Sequence, residues 1–586
     1  MPKRWNIRPH DPDRIAALER AAGVPAVVAQ LLLCRGIERP EAARQFLAAQ
    51  LKDLREPDLL PGAREAARRI WAAVQAGKRI VIHGDYDVDG ITGTSILVLC
   101  LRLLRANVGY FIPDRLSEGY GLHEGTVRRL AGEGAAVIVT VDCGITGLAA
   151  AQAARELSLE LIVTDHHEMQ AELPCAAVLV HPRLPGQEHD PFVPPFADLC
   201  GSAVAFKVAW AICQEAAGAR RVHPQMREFL VQAVVLAALG TVADVVPLVD
   251  ENRILVRHGL TALKERPLLG LRTLMQVSQL NQRKQLSAED IGFGLAPRLN
   301  AAGRLGQARL AVELLTTDSE PRALELAQYI EGLNATRKTL ERSIYLAAKK
   351  QAREQFDPDG DAALVLAARG WHQGVIGIVA GRLAEKFHRP VVLLSQDELG
   401  AKPAIGSGRS VPGFNLYRAL SACSHHLLSH GGHAAAAGLK IEDRAIDAFR
   451  AEFCEHAAVA IPPELRSAEL HIDAETPLAA LTLNAVRQIE QLAPFGQGNV
   501  RPLLCTEDVH LVAAPKRMGE GDRHLLLNLV QHNLRLRAVA FGGGEWADEL
   551  ARHVNNGPLA IAFRPVINVF RGRASVELEL ADWRAG

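Results

Sequence analysis

The sequence predicts an α/β chain of several parts: a parallel-sheet domain, a long connecting helix, a second, smaller α/β domain and a C-terminal β-barrel. Three observations carry that prediction. From about residue 62 to 270, apolar β-branched runs alternate with Ala/Leu-rich stretches, the βαβ grammar of a parallel sheet. From Ser319 to about Phe356, apolar residues recur at helical spacing without a break. Beyond about residue 465 the period becomes two, as in half-buried strands.

A chain of 586 residues is too long for one core. The boundaries fall at 1–55 for an N-terminal segment of small helices with no nameable chemistry, 56–270 for the parallel-sheet domain, 271–357 for the helical connector, 358–460 for the second α/β domain and 461–586 for the barrel. In the first sheet Arg79–Ile82, Ala136–Thr140 and Leu161–Val163 read as buried parallel strands, with helices over Thr94–Leu104 and Gly147–Leu157. Pro and Gly cluster around Leu184–Pro195, a surface loop. In the connector, Asp318 or Ser319 can cap a helix and Pro321 suits its first turn. Leu326, Ile330, Leu333, Leu340 and Ile344 give it one apolar stripe over roughly 50 Å, the makings of a strut between domains. A hairpin broken near Gly332 is the alternative. Ala363–Ala367 and Pro390–Leu394 are the clearest strands of the second domain. His524–Leu529, Leu534–Ala540, Leu559–Phe563 and Ala574–Leu580 suggest a small barrel, for which an oligonucleotide-binding (OB) barrel is one option.

Composition is that of a soluble globular protein, 48 % hydrophobic and 23 % charged. Formal charge is zero, so contact with nucleic acid would have to come from local basic patches. Nine Cys with no C-x-x-C pair predict reduced thiols in a cytoplasmic protein and no zinc ribbon. The start, Met1-Pro2-Lys3-Arg4-Trp5-Asn6, has no apolar signal core, and no run of about 20 apolar residues is expected to span a bilayer.

Chemistry concentrates in four acidic segments, each after an apolar run: His83-Gly84-Asp85-Tyr86-Asp87-Val88-Asp89-Gly90, Val141-Asp142-Cys143-Gly144, Thr164-Asp165-His166-His167 and Ala243-Asp244-Val245-Val246-Pro247. Ligands of an open α/β sheet sit beyond the carboxyl ends of its strands. Three strand ends that each deliver Asp or His therefore point to one shared cation site. Two carboxylates about 4 Å apart repel by roughly 4 kcal/mol at an effective dielectric near 20, and a divalent ion removes the conflict. Asp85, Asp87, Asp89 and Gly90 mimic the start of an EF-hand loop, but its twelfth position is Ile96 instead of Glu and a strand precedes it. Acidic turns and N-caps without metal would explain one segment more easily than four. Carboxylate and imidazole without thiolate favour Mn²⁺ or Mg²⁺ over structural zinc. Cys143 should point to the face opposite Asp142 if its strand continues, and so pack. In the second domain Gly406-Ser407-Gly408-Arg409-Ser410 and Gly431-Gly432-His433 through Gly438 read as Gly-rich loops where main-chain N–H groups can approach a phosphate, with Arg409 offering a fork. Such loops are as often plain tight turns.

Asp165-His166-His167 with the Asp-x-Asp turn at Asp87 and Asp89 resembles the DHH phosphoesterase superfamily. Five further stretches narrow the likeness: Val81–Thr92, Pro113-Asp114-Arg115 with Glu118–Gly121, Gly240–Leu248, Pro297–Arg304 and Pro494–Asn499 resemble the RecJ family, bacterial exonucleases specific for single-stranded DNA that degrade 5′ to 3′. The likeness covers about residues 60 to 580 and leaves out the N-terminal 55. It implies a DHH domain, a connecting helix, a DHHA1 domain and an OB-like barrel. It implies Asp87, Asp89, Asp142, His166 and Asp244 as ligands of two Mn²⁺ or Mg²⁺ ions, with Asp142 bridging. His83 and Asp85 stand in or beside that shell, and which of them binds metal directly stays open. His167 would contact phosphate and Asp165 orient its neighbours, so His167, Asp165 and Asp142 form the catalytic set. Arg115, Tyr120, Arg298, Asn300, Arg304, Trp371, His372, Ser407, Arg409 and His433 would face nucleic acid, Tyr120 by base stacking. Core packing is the competing account of Trp371. Ser407 and Arg409, with Arg298 or Arg115 opposite, would hold a 5′-phosphate.

The implied activity is two-metal, in-line hydrolysis of single-stranded DNA from a free 5′ end to 5′-mononucleotides, in DNA repair and recombination. The implied partners are a helicase and a single-strand-binding protein, for a monomer in the cytoplasm. Two rivals share some of the motifs. One is another DHH enzyme, a pyrophosphatase or a phosphodiesterase of cyclic dinucleotides or short oligomers, which would not need a terminal barrel. The other is a non-catalytic single-strand-binding scaffold, which would not need the full set of acidic residues.

Overall fold

A computed structural model describes residues 3–115, 117–184, 197–357, 360–461, 469–554 and 556–586. The Pro/Gly-rich stretch expected to form a loop lies outside these residues, Leu184 excepted. The chain divides into two compact units, residues 51–466 and residues 1–50 with 467–586.

The larger unit holds the two α/β sheets. The first is parallel throughout and runs, edge to edge, Val108–Phe111, Ile80–His83, Val137–Thr140, Glu160–Thr164 and Val178–Val180. In chain order this is 2-1-3-4-5, so the topology reverses between Ile80–His83 and Val137–Thr140. His83 pairs with Thr140, which brings the turn at Asp85–Asp89 and the turn at Asp142 out of the sheet at the same level. The three strands expected from sequence are present; their β-branched residues are buried on both faces, as parallel strands require. Helix Val88–Leu103 begins six residues before the Thr94 expected for it, because Asp87 is itself the N-cap.

Helix Pro224–Ala243 corrects one expectation. By length and composition it is apolar enough to cross a membrane, contrary to the reading that no such run exists. Its residues Phe229 and Ala233–Thr241 are buried, and Val234–Ala237 and Leu239 belong to the core formed with helices Val88–Leu103 and Gly201–Ala217. An apolar surface on most sides is what a central core helix needs.

Helix Glu320–Gln355 runs unbroken for 36 residues, through Gly332, with the Ser319 hydroxyl accepting from Arg322 N–H and Pro321 in its first turn. Leu326 and Ile330 belong to the core of the first sheet, and Ile344, Ala348 and Ala352 to that of the second. The hairpin alternative is thereby excluded. The second sheet runs Leu427–Gly432, Ala436–Ile441, Ala404–Arg409, Val391–Gln396, Leu364–Arg369, with only the last pair parallel.

In the smaller unit, strands Leu504–Leu511, Leu559–Phe570, Arg573–Ala585, Leu534–Ala540 and His524–Gln531 pair in that order, and the last pairs back to the first. The pairings close a ring. The N-terminal segment belongs to this unit: Arg4–Ile7 pairs in parallel with Glu469–Ile472, and Ile15, Leu18, Leu31 and Leu32 share a core with Val486, Leu504, Leu527 and Phe563. The Pro494–Asn499 motif is a fastener here, since Asn499 donates to the carbonyls of Leu492 and Pro494 and accepts from Arg35 Nε (2.7 Å).

Candidate metal centre and anion pocket

The topological switch point of the first sheet carries the acidic residues. Asp87 Oδ1 accepts from the N–H groups of Asp89 (3.0 Å) and Gly90 (3.2 Å). Asp89 reaches across to the N-terminus of helix Gly201–Ala217 and accepts from Gly201 N–H (2.6 Å) and Ser202 N–H (2.8 Å). Both carboxylates are fixed by main chain. Asp142 sits at φ +63°, an unfavourable left-handed conformation for a residue with a Cβ. Asp244 comes from a helix end, as the C-cap of Pro224–Ala243, with Val245 at φ +60° behind it. His166 Nε2 faces three of these groups, 3.0 Å from Asp142 Oδ1 and 3.7 Å from both Asp89 Oδ2 and Asp244 Oδ2.

Three overlapping three-donor groups result, Asp85/Asp87/Asp142, Asp89/His166/Asp244 and Asp142/His166/His167, each with ligand atoms within 4.8 Å of one another. Asp142 belongs to the first and third and contacts His166 of the second. Burial and the surrounding carboxylates push the carboxyls of Asp85 and Asp142 well above their ordinary range, and that of Asp244 up to about 8. Burial lowers His166 to about 4 despite Asp89, so its imidazole is neutral. Asp85 Oδ1, Asp142 Oδ1, His166 Nε2 and His83 Nε2 are buried with no hydrogen-bond partner. Orphaned acceptors converging at one point cost stability unless a cation completes them. The donor set, carboxylate with neutral imidazole, suits a divalent ion of the Mn²⁺ or Mg²⁺ kind.

Beside this centre, Asp165 is saturated. Its Oδ2 accepts from Ile145 N–H (2.9 Å), and its Oδ1 accepts from the N–H groups of His166 (2.8 Å) and His167 (3.2 Å) and contacts His167 Nδ1 (2.8 Å). Burial opposes the charge on His167, but Asp165 outweighs it and raises the imidazole to about 9. Tyr120 Oη lies 3.0 Å from His167 Nδ1 and donates to the carbonyl of Asp142 (3.1 Å), so its polar end is committed to the centre.

Two neighbours were not singled out as functional from sequence. His181, buried at the end of the fifth strand, accepts from Arg183 N–H through Nδ1 (3.0 Å), which leaves Nε2–H to donate to the carbonyl of His167 (2.8 Å). A strand-end His, the same signal as at His83, could have found it. Cys143 does not point away as a continuing strand would make it. The strand stops at Thr140, the chain turns at Asp142, and Cys143 Sγ lies 3.5 Å from His83 Nδ1. That contact occupies one nitrogen of His83 and leaves the orphaned Nε2.

A cleft of about 530 Å³ joins Asp85, Asp87, Tyr120 and His167 to the second sheet. Arg115, Ser407, Arg409 and His433 line it. The first glycine-rich stretch is a strand, not a loop: Ala404–Arg409 pairs with Ala436–Ile441, and a Cβ on Gly406 or Gly408 would meet Leu394, Leu439 or Leu416; the second is a hairpin, whose turn at His433–Ala435 joins the ends of strands Leu427–Gly432 and Ala436–Ile441. Arg409 donates to the carbonyl of Gly408 (2.7 Å) and to Ser407 Oγ (3.1 Å), and both side chains lie over Gly377, where a Cβ would come within 2.9 Å. Arg115 stacks on Tyr86, 4.9 Å from the ring centre. Arg304 is pulled down to about 9 by burial and by Arg115, Arg409 and Arg337.

Five residues expected to face nucleic acid make contacts within the protein. Arg298 makes a two-point pair with Glu331 of the long helix and donates to the carbonyl of Gly294. Asn300 Oδ1 accepts from Val88 N–H (3.1 Å), holding the acidic turn. Trp371 is buried, 7 % exposed, among Val375, Ile376 and Leu393. His372 caps helix Gln373–Phe387 by accepting from Gly374 N–H. Arg304 donates to the carbonyl of Gly374 while remaining in the basic cluster.

A parallel sheet of order 2-1-3-4-5 with Asp-x-Asp and Asp-His-His turns at its switch point, facing a mixed sheet across a basic cleft, defines a protein of the DHH–DHHA1 class. Models of the DHH family N-terminal domain, the DHHA1 domain and the RecJ OB domain match residues 79–240, 360–458 and 472–582. The chain belongs to the RecJ family. It is 35 % identical to the single-stranded-DNA-specific exonuclease RecJ of Bacillus subtilis, over 99 % of this chain and 70 % of that one. It is 33 % identical to the Escherichia coli protein of the same name, over 99 % of both. The crystal structure of RecJ from Thermus thermophilus in complex with Mn²⁺ superposes with a TM-score of 0.82 at 33 % identity, covering 100 % of this chain and 80 % of that one; its Mg²⁺ complex gives 0.76 over 100 % and 78 %. At 99 % coverage the likeness extends into the N-terminal segment that the motifs had left out.

Proposed function

We propose that this chain is a metal-dependent exonuclease specific for single-stranded DNA, that it degrades 5′ to 3′, and that it releases 5′-mononucleotides for repair and recombination. The observation that carries this reading is the cleft. It joins converging buried carboxylate and imidazole atoms that have no hydrogen-bond partner to a cluster of arginines, and a phosphodiester with divalent ions would satisfy both. Relatives named single-stranded-DNA-specific exonuclease, and solved RecJ structures holding Mn²⁺ or Mg²⁺, support the substrate and the ions.

Asp85, Asp87, Asp89, Asp142, His166 and Asp244 would hold two ions, with His83 Nε2 adjacent. The ions would supply Lewis acidity and an acidified water for in-line displacement. The chain's own contribution is orientation. Main-chain N–H groups fix Asp87 and Asp89 before any ligand arrives, which lowers the reorganisation needed at the reaction. His167, held cationic by Asp165, offers a charged donor to a phosphate oxygen. Arg409, Ser407 and Arg115 fix a terminal 5′-phosphate and so place the first phosphodiester at the acidic cluster. The barrel unit adds backbone and stacking contacts to longer strands. A helicase and a single-strand-binding protein supply the substrate to a cytoplasmic monomer.

The test is a single strand labelled separately at each end and incubated with Mn²⁺, Mg²⁺ or EDTA. Release of labelled mononucleotide from the 5′ end alone, abolished by EDTA, is expected. Stopping the enzyme by blocking the 3′ end, and not by blocking the 5′ end, would overturn the polarity.

A further inference from the structure

The second α/β domain carries a cluster that the exonuclease reading does not use. His425, His426 and Glu452 bring three ligand atoms within 4.8 Å of one another. We propose that they form an additional transition-metal site of the Zn²⁺ class, separate from the centre at the strand ends.

The two histidines belong to the short turn Ser424–His426 between helix Leu416–Ala422 and strand Leu427–Gly432, and Glu452 to helix Ile446–Ala460. Side chains of consecutive residues ordinarily diverge. Here the two rings lie 4.1 Å apart and both aim Nε2 at one oxygen, Glu452 Oε2, at 3.0 Å from His425 and 2.8 Å from His426. As an ion pair alone, the contact to a 61 %-exposed His425 gains little in water. As a ligand set it is two imidazoles and a carboxylate, a combination zinc uses at about 2.0–2.2 Å per bond, and donor atoms so close together are within reach of one ion. Cys423, two residues before His425, is buried and is not part of the set. Partial exposure of all three ligands leaves the remaining positions open to water and gives the ion a way in.

The position suggests what the ion does. It would tie helix Ile446–Ala460 to the start of strand Leu427–Gly432, whose far end, with Gly432 and His433, lines the cleft. Six strand residues span about 20 Å, so the ion would stiffen one wall of the cleft without touching substrate.

The test uses the full-length chain stripped of metal, with diethyl pyrocarbonate modification of His425 and His426 read by peptide mass with and without Zn²⁺. Zn²⁺ is expected to protect both residues in the parent and neither in Glu452→Gln, a readout blind to ions bound at the strand ends and to activity. Zn²⁺ titration should give one tight equivalent fewer for Glu452→Gln and for His426→Ala than for the parent. Absence of protection in the parent, or protection and stoichiometry unchanged in Glu452→Gln, would overturn the site.

Discussion

The two walls of the cleft invite comparison. On one, Asp85, Asp87, Asp142 and Asp244 crowd together until burial and mutual repulsion raise their affinity for protons. Facing them, Arg409 of the second sheet crowds with Arg115 and Arg304 from the side of the first, and burial with mutual repulsion lowers the affinity of Arg304 and Arg409 for their protons. They differ in how the charges are held. Asp87 and Asp89 are gripped by main-chain N–H groups, whereas Arg304 and Arg409 donate to carbonyls of Gly374 and Gly408 and keep part of each fork for a ligand. A wall that holds a small ion needs ligand atoms fixed to fractions of an ångström. A wall that captures a mobile chain end needs charge and reach more than fixed position.

Removing a charge from the acidic wall should therefore cost the most. Asp142→Ala is expected to lower turnover by at least about three orders of magnitude, roughly 4 kcal/mol, while binding of single strands survives or tightens. Near-normal turnover by the folded variant would end the two-ion assignment. A displaced charge comes next. A Cβ on Gly240 would fall 2.4 Å from Asp89 Oδ1 and 2.0 Å from Ser202 Oγ, so Gly240→Ala should cost about a hundredfold in turnover and weaken Mn²⁺ binding. Gly332→Ala, in open space on the long helix, is the control and should stabilise by roughly 0.5–1 kcal/mol. Equal activity of the two variants would show that the wall tolerates displacement.

On the basic wall, Arg409→Ala should raise KM about tenfold for 5′-phosphorylated strands and much less for 5′-hydroxyl strands, with kcat little changed. An equal rise for both would move the phosphate pocket elsewhere. His181→Ala should reduce kcat about fivefold by loosening the His167 backbone, and His181→Gln, whose amide N–H reaches the position of Nε2 and can donate to the His167 carbonyl, should restore much of it. Failure of Gln to rescue would make His181 a packing residue.

The smallest effect is thermodynamic. The raised Asp244 carboxyl, about 8 in the folded protein against 3.8 ordinarily, makes the folded state bind the extra proton. Its contribution to stability is full below pH 3.8 and disappears as pH rises through 8. His83 and His166, lowered to about 4 from 6.5, act in the opposite sense only below 6.5. Between pH 6.5 and 8 the EDTA-treated protein should thus lose thermal stability as pH rises, with His167, raised to about 9, acting in the same sense, and Mn²⁺ should reduce the dependence to the part that His167 leaves. A flat or rising profile without metal would mean that the carboxylates do not repel as the geometry demands.

The acidic wall was legible in the sequence because it is local: a buried strand, a turn and a charged residue at its end announce themselves within a few positions. The same holds for the long helix, whose cap, first-turn Pro and apolar stripe are contiguous. The basic wall was legible only in part. Nothing near Arg298 reveals Glu331, a partner 33 residues away on another helix, and nothing in the Asn300 motif reveals that its acceptor is spent on Val88. Gly-Ser-Gly-Arg-Ser looks like a loop until Leu394, Leu416 and Leu439 are seen to leave no space for side chains on the face of that strand where Gly406 and Gly408 lie. Only the tertiary fold separates Arg115, which lines the cleft, from Arg298, which pairs with Glu331.

Helix Glu320–Gln355 is anchored in both sheet cores, and that makes it a caliper. At about 1.5 Å and 100° per residue, one amino acid inserted near Gly332 would advance everything beyond it slightly and swing it by more than a quarter turn, carrying Ser407 and Arg409 out of line with Asp142. Four inserted residues would nearly restore the phase but open the jaws by about 6 Å, close to one nucleotide step of an extended strand. Substitutions at its exposed, unpaired positions should therefore be tolerated, while insertions and deletions should be tolerated only in the loops at either end.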